Sequence, residues 1–161
     1  MNEEPPAARE CVIRRTIDAP AHLVFAAHAD PACVKRWFGP VGWPLSKCEM
    51  DFREGGQFHF QMTSDAGELG PPFGGTYLEI VPDRRIRFDN GFEEPGSPRM
   101  VMTVDLAEDA DGRTLLTHHT LFESRGMREE YLAQGFREGT ESGLDQLEEV
   151  VREMVAEMGG G

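Results

Sequence analysis

Residues 144–158 read LDQLEEVVREMVAEM, and their apolar side chains recur at spacings of three and four. This spacing predicts an amphipathic helix with one apolar stripe, because an α-helix turns once in about 3.6 residues. Acidic side chains occupy much of the opposite side, which we interpret as the solvated back of the helix. The helical pattern extends back to residue 124, and Gly135, Gly139 and Gly143 recur within it at intervals of four.

These glycines leave several interpretations open. A glycine inside a helix costs about 1 kcal/mol relative to alanine, so something must offset three of them. They either permit close approach of the helix to the sheet or leave room for a ligand. Gly135 alone fits a third role, the separation of a short helix over residues 128–134 from the long one.

The residues that precede this helical region alternate between strand and helix signals. A strand is predicted over residues 11–18, and two short helices follow it. Asp18 is a candidate cap before Pro20 opens the first helix, and Asp30 precedes the second, which stops at Gly39-Pro40. Six further segments then show the period-two pattern of half-buried strands: residues 45–53, 57–63, 75–81, 85–89, 100–106 and 113–121.

This order of elements predicts an α+β fold. Strands joined by short turns form an antiparallel sheet, and its apolar face must be covered. The final helix is the only element large enough to do so, and the first strand can pair with the last strand or the second. We therefore expect a curved antiparallel sheet of about six or seven strands around the C-terminal helix. Residues 11–158 would form this single domain, after a flexible, Pro-rich N-terminal segment over residues 1–10.

Composition excludes several function classes. The chain has 161 residues with 16 basic and 29 acidic side chains, a net charge of −13, which disfavours nucleic-acid binding. Its longest apolar runs fall far short of the roughly 20 residues of a membrane helix, so no membrane insertion is expected. Three cysteines without CxxC spacing and an N-terminus without a signal peptide predict free thiols in a cytoplasmic protein. No motif indicates a metal site or a cofactor.

Five motifs in order resemble one known family. They are TIDAP at 16–20 followed by Val24-Phe25, RWFGP at 36–40, DFREGGQF at 51–58, GTYLEIVP at 75–82, and the ending with Gly135-Phe136, Gly139, Leu144 and Leu147. The chain resembles the SRPBCC superfamily (START and Bet v 1-like), and within it the single-domain bacterial proteins related to the C-terminal domain of the Hsp90 ATPase activator. That resemblance implies a helix-grip fold whose apolar cavity binds hydrophobic small molecules. Thr140 stands where much of the family carries a bulky residue.

The candidate site follows from that cavity and from strand parity. Trp37, Phe38 and Trp43 are either an aromatic rim or anchors of the short helices, and we favour anchors for the first two. The inward-facing residues of the strands, rich in methionine, are either cavity lining or solid core. The candidate ligand-binding residues are Trp37, Phe38, Trp43, Phe58, Phe60, Met62, Tyr77, Phe88, Met100, Met102, His118, Phe136, Thr140 and Leu144.

Polar candidates are few. His118 and His119 are adjacent on one strand, so they point to opposite faces and cannot share a metal. His118 is expected to point inward as a buried neutral imidazole, a ligand contact or a general base. Asp51 and Arg53, expected on one strand face, suggest a structural charge pair or a ligand-orienting pair.

The sequence thus favours a monomer or homodimer that binds a small hydrophobic molecule and has no cofactor. A cyclase- or isomerase-type enzyme that acts in the same cavity is one alternative, with His118 moving a proton. A chaperone-associated or regulatory interaction protein is the other. Because the usual catalytic motifs are missing, binding is favoured over catalysis.

Overall fold

In the computed structural model, which describes residues 4–159, one antiparallel sheet of seven strands wraps around the C-terminal helix. The strands are β1 (Glu10–Ile17), β2 (Leu45–Met50), β3 (Gln57–Met62), β4 (Phe73–Val81), β5 (Arg85–Phe92), β6 (Met100–Glu108) and β7 (Thr114–Phe122). The helices are α1 (Ala21–Ala29), α2 (Pro31–Trp37), α3 (Arg125–Ala133) and α4 (Phe136–Gly159). The predicted α+β helix-grip architecture is confirmed.

The sheet runs in the order β1-β7-β6-β5-β4-β3-β2. The first strand therefore pairs with the last strand and not with the second, so β1 and β2 are the two edges. Helices lie along both edges: Arg15 on β1 forms ion pairs with Asp145 (2.5 Å) and Glu148 (3.1 Å) of α4, and α2 packs beside β2.

Strand parity sets the inner face of the sheet. On β7 every second residue from Thr114 to Phe122 is buried, and on β6 the same holds from Met100 to Leu106. The inward direction predicted for His118 is confirmed, and the next residue, His119, points outward and bonds Glu10 (2.7 Å).

Some strand boundaries differ from the prediction. β2 ends at Met50 and not at residue 53, because the chain turns tightly there: Arg53 N–H donates to Asp51 O at 2.8 Å. β4 begins earlier than predicted and β5 ends later, because Phe73 and Phe92 pair across the two strands.

The short helices form largely for the expected local reasons. Pro31 occupies the first turn of α2, and the Asp30 carboxylate accepts a hydrogen bond from Ala32 N–H at 2.9 Å. The prediction that Asp18 caps α1 is wrong. The helix begins at Ala21, too far from Asp18 for its side chain to reach the first turn, and Ala21 N–H donates instead to Glu108 at 2.7 Å.

The helical tail contains two helices. Ser124 caps α3, because its hydroxyl accepts from Met127 N–H at 3.1 Å, so α3 begins before the predicted residue 128. Gly135 has φ +93°, a left-handed conformation that ends α3, and this confirms its predicted role as a separator. On α4 the stripe Leu144, Leu147, Val150 and Val151 is at most 2 % exposed. Each such side chain contributes about 1.5–3 kcal/mol by leaving water.

The segment before the sheet is only partly described. A 3₁₀ turn spans Pro6–Ala8, and the Arg9 guanidinium donates to Phe122 O at 2.8 Å. Residues 1–3 lie outside the described part, so the flexibility of residues 1–10 stays a prediction, although Glu10 already belongs to β1. None of the helices within residues 4–159 is long and apolar enough to cross a membrane.

Candidate functional site

A cavity of about 280 Å³ lies between the inner face of the sheet, the end of α2 and the first half of α4. This volume is close to the lower end of the range for small-molecule pockets. The partly exposed residues Pro40, Phe92 and Gly139 show where it reaches the surface. The lining residues are His28, Trp37, Phe38, Gly39, Pro40, Met62, Phe73, Phe88, Asn90, Gly91, Phe92, Met100, Met102, Val104, His118, Tyr131, Phe136, Gly139, Thr140, Gly143 and Leu144.

Small residues on α4 open this space. A Cβ at Gly139 would meet no atom within 4 Å, so this glycine leaves room inside the fold. Gly143 serves a different purpose, because a Cβ there would lie 3.4 Å from Trp37 O and 3.6 Å from the backbone of Gly39. Gly143 therefore lies against the end of α2 and not against the sheet, which differs from the predicted close helix–sheet approach. The open space beside Gly139 fits the other interpretation, and that it receives a ligand stays a prediction.

The turn after α2 forms one wall. Gly39 has φ +93°, and a Cβ there would lie 2.7 Å from Met62 Sδ and 2.9 Å from Trp43 O. Only glycine fits such a position without displacement. The backbone of residues 39–40 can therefore lie directly against the cavity, and Gln146 on α4 ties it down by donating to Gly39 O at 2.7 Å.

Most of the candidate residues lie together around this cavity. The structure brings ten of the fourteen to its wall: Trp37, Phe38, Met62, Phe88, Met100, Met102, His118, Phe136, Thr140 and Leu144. Trp37 also anchors α2, because its indole N–H donates to Ala27 O at 2.9 Å. Both interpretations of this tryptophan, rim and anchor, are therefore compatible with its position. That these residues bind a ligand stays a prediction.

The other four candidates lie away from the cavity wall. Phe58, Phe60 and Tyr77 face inward as expected, but they fill the core: the ring centroids of Phe58 are 4.9 Å from Phe60 and 5.3 Å from Tyr77. Trp43 lies beside Gly70, where a Cβ would be 3.7 Å from its ring. Strand parity identifies inward residues but does not distinguish lining from filling.

Several lining residues were not candidates. Phe73 and Asn90 fall just outside the predicted strands 75–81 and 85–89, so their inward direction was not inferred. His28 lies on α1 next to Trp37, with ring centroids 4.8 Å apart. Recognition of the cross-strand pair between Phe73 and Phe92, which lengthens β4 and β5, would have identified Phe73 and Asn90 as inward-facing.

The lining is electrically neutral. It contains no Asp, Glu, Lys or Arg among the described residues. Burial lowers the pKa of both His118 and His28 to about 4, and the nearby His28 lowers the pKa of His118 further. His28 Nδ1–H donates to Val24 O at 2.8 Å, which opposes part of the effect of burial on His28. Burial likewise raises the pKa of Tyr131. All three side chains are therefore uncharged near neutral pH.

One polar side chain on the wall is poorly satisfied. The Asn90 amide donates from Nδ2 to Met102 Sδ at 3.7 Å, a weak interaction, and its buried Oδ1 has no hydrogen-bond partner among the described residues. Buried polar groups in native proteins usually have partners, so this one calls for a physical explanation.

Two further sequence-based questions concern metal ligands and the Asp51–Arg53 charge pair. Within residues 4–159 no group of three or more His, Cys, Asp or Glu side chains is arranged to hold a metal ion. Arg53 Nε donates to Asp51 Oδ2 at 2.9 Å, which confirms the pair, but both residues lie in the turn after β2 and not on a strand. The pair is exposed, and neither residue belongs to the cavity lining.

Comparison with known proteins shows which family this chain matches and which solved structures share its fold. The family model described as "Activator of Hsp90 ATPase homolog 1-like protein" matches residues 18–152. A crystal structure from Nitrosomonas europaea is similar at 28 % identity and TM-score 0.83, covering 93 % of this chain and 98 % of that one. A solution structure from Arthrobacter aurescens is similar at 26 % identity and TM-score 0.81, covering 94 % and 90 %.

A third structure, an AHSA1-like protein from Aeromonas hydrophila, shares the fold at 21 % identity and TM-score 0.71, with 90 % and 93 % covered. No curated protein matches the sequence significantly. The family model spans most of the chain, and the motifs that carried the resemblance lie largely within it. The chain belongs to the family of Activator of Hsp90 ATPase homolog 1-like proteins.

Proposed function

We propose that this protein binds a small hydrophobic molecule in the cavity between its sheet and the first half of α4. The observation that carries the proposal is the cavity itself, about 280 Å³ of space with a largely apolar wall. Protein interiors are packed as densely as organic crystals, and unfilled apolar space weakens a core. A ligand that fills this space restores the missing contacts.

The neutrality of the wall supports a hydrophobic ligand over a charged one. An ion that enters such a site loses its hydration and gains no opposite charge in return. The adaptable side chains of Met62, Met100 and Met102 suit an apolar ligand, because methionine changes shape at low cost.

Binding is favoured over catalysis by the state of His118. A general base works best when its pKa lies near the working pH. Burial lowers the pKa of His118 to about 4, which leaves it a weak base near pH 7. The cyclase or isomerase alternative therefore lacks a well-tuned proton acceptor at this position. The interaction-protein alternative predicts little internal volume, which does not agree with the cavity.

The test is native mass spectrometry of the protein purified from its own host, with Gly139→Leu as the matched variant. The wild type is expected to carry an additional apolar molecule, and Gly139→Leu, whose side chain would occupy the space, is expected to lose it. As a second measurement, naphthalene should raise the Tm of the wild type but not of the variant, because a ligand stabilises only the state that binds it. A bare wild-type chain that naphthalene leaves unchanged would overturn the proposal.

A further inference from the structure

The position of Asn90 bears on what kind of molecule the cavity takes. Asn90 lies on β5 opposite Met100 of β6, and its side chain is part of the cavity wall. Its only hydrogen bond within the described residues is the weak one to Met102 Sδ. The neighbouring His28 differs in this respect, because its Nδ1–H donates to Val24 O at 2.8 Å.

An amide has both a donor group and an acceptor atom, and rotation of the side chain exchanges their places. The ligand group that complements either orientation is a hydroxyl, which both donates and accepts. A carboxylate or an ammonium is disfavoured, because no charged side chain lines the described wall. A pure hydrocarbon would fill the space but leave the amide of Asn90 without a partner.

The rest of the wall favours an aromatic body for this ligand. Rings from several elements face the cavity, among them Trp37, Phe38, Phe73, Phe88 and Phe136. Aromatic pairs gain energy from offset and edge-to-face contacts beyond simple burial. The volume of about 280 Å³ favours a compact molecule over a large lipid.

We infer, on the basis of the proposed function, that the ligand is a compact neutral aromatic alcohol whose hydroxyl bonds the Asn90 side chain. Asn90 then determines specificity, and the aromatic and methionine side chains supply affinity. The weak bond to Met102 Sδ is exchanged for a bond to oxygen when the ligand enters.

The experiment compares 2-naphthol with 2-methylnaphthalene, which have similar shapes and differ in the hydroxyl. Binding of each is measured by titration against the wild type and Asn90→Leu, and the ratio of the two Kd values is compared between the proteins. This comparison cancels the different hydration of the two probes. Asn90→Leu is expected to shift the ratio toward 2-methylnaphthalene by about tenfold or more.

Met100→Leu is the matched control, because it changes an apolar wall residue at the paired register position and should leave the ratio unchanged. If Asn90→Leu fails to fold, Asn90→Val, a residue suited to strands, gives the same readout. An unchanged ratio with both probes still bound would overturn the aromatic-alcohol inference and leave the proposed function intact. If neither probe binds the wild type, the inference fails, and with no co-purified ligand the proposed function fails as well.

Discussion

The core between the sheet and α4 has two regions: a packed half, which is filled by side chains, and a hollow half, which contains the cavity. In the packed half, Leu147, Val150 and Val151 of α4 are almost fully buried, and the ring of Phe58 packs against those of Phe60 and Tyr77. In the hollow half, Gly139 on the same helical stripe leaves a cavity. The inner face of the sheet is mostly apolar in both halves, although Asn90 and His118 are polar members of the cavity wall. Gly139 is thus a position on the helix wall of the cavity where the missing side chain leaves open space.

The largest expected effect tests the packed half. Phe58→Ala removes a side chain that is 2 % exposed and in contact with several rings, so it should lower the free energy of unfolding by about 3–5 kcal/mol. Urea denaturation measures this change. Phe92→Ala, at a residue 39 % exposed on the rim of the cavity, is the control and should cost about 1 kcal/mol or less. Equal costs at both positions would contradict the distinction between the halves.

The hollow half is expected to be the acid-sensitive one. His118 and His28 have their pKa lowered to about 4 in the folded chain, whereas the unfolded chain protonates them near the ordinary value of 6.5. The unfolded state thus binds more protons between these values, so stability is fully present above about pH 6.5 and is lost as pH falls toward 4.

For one such histidine the loss by pH 4 is roughly 3 kcal/mol. His118→Gln removes this contribution, so the free energy of unfolding should fall less steeply from pH 7 to pH 4 than in the wild type. Urea denaturation at a series of pH values measures both slopes. Parallel slopes would mean that burial does not hold His118 neutral. His22→Gln, at an exposed position on α1, is the control for a histidine substitution outside the core.

Leucine substitutions at Gly139 and Gly143 test whether open space lies beside the first glycine and the end of α2 beside the second. Gly143→Leu forces side-chain atoms against Trp37 O and Gly39, and overpacking of this kind costs about 1–3 kcal/mol. Gly139→Leu extends into open space, so it should cost little stability. Thermal unfolding of the two variants tests this difference, and a larger loss at Gly139 than at Gly143 would argue that the hollow half is already filled.

The fold was predictable because its elements depend on local patterns. Alternation on β6 and β7 and the stripe at 144–151 are visible in the sequence and were confirmed. The helix separation at Gly135 was also predictable, since a glycine there interrupts the pattern.

The boundary between lining and filling was not predictable in the same way. Phe58 and Met100 have the same parity, and only the three-dimensional positions of α1 and α4 decide which one packs against rings and which one faces space. Asn90 was missed for a related reason. Its strand continues through pairing on both sides, of Asn90 with Met100 and of Phe92 with Phe73, and these contacts join residues on different strands.

The smallest expected effects on stability come from adding a single methyl group at each of the three glycines in the helical tail. Gly139→Ala adds a Cβ that meets no atom within 4 Å, so it should raise stability by about 1 kcal/mol through helix propensity alone. Gly143→Ala should raise it by a similar amount, because its Cβ would make only an ordinary van der Waals contact with Trp37 O at 3.4 Å. Gly135→Ala should lower stability by about 1 kcal/mol or more, since φ is +93°. Thermal unfolding of the three variants measures the order, and a gain at Gly135 or a loss at Gly139 would show that these glycines do not play the separate roles of turn, space and contact.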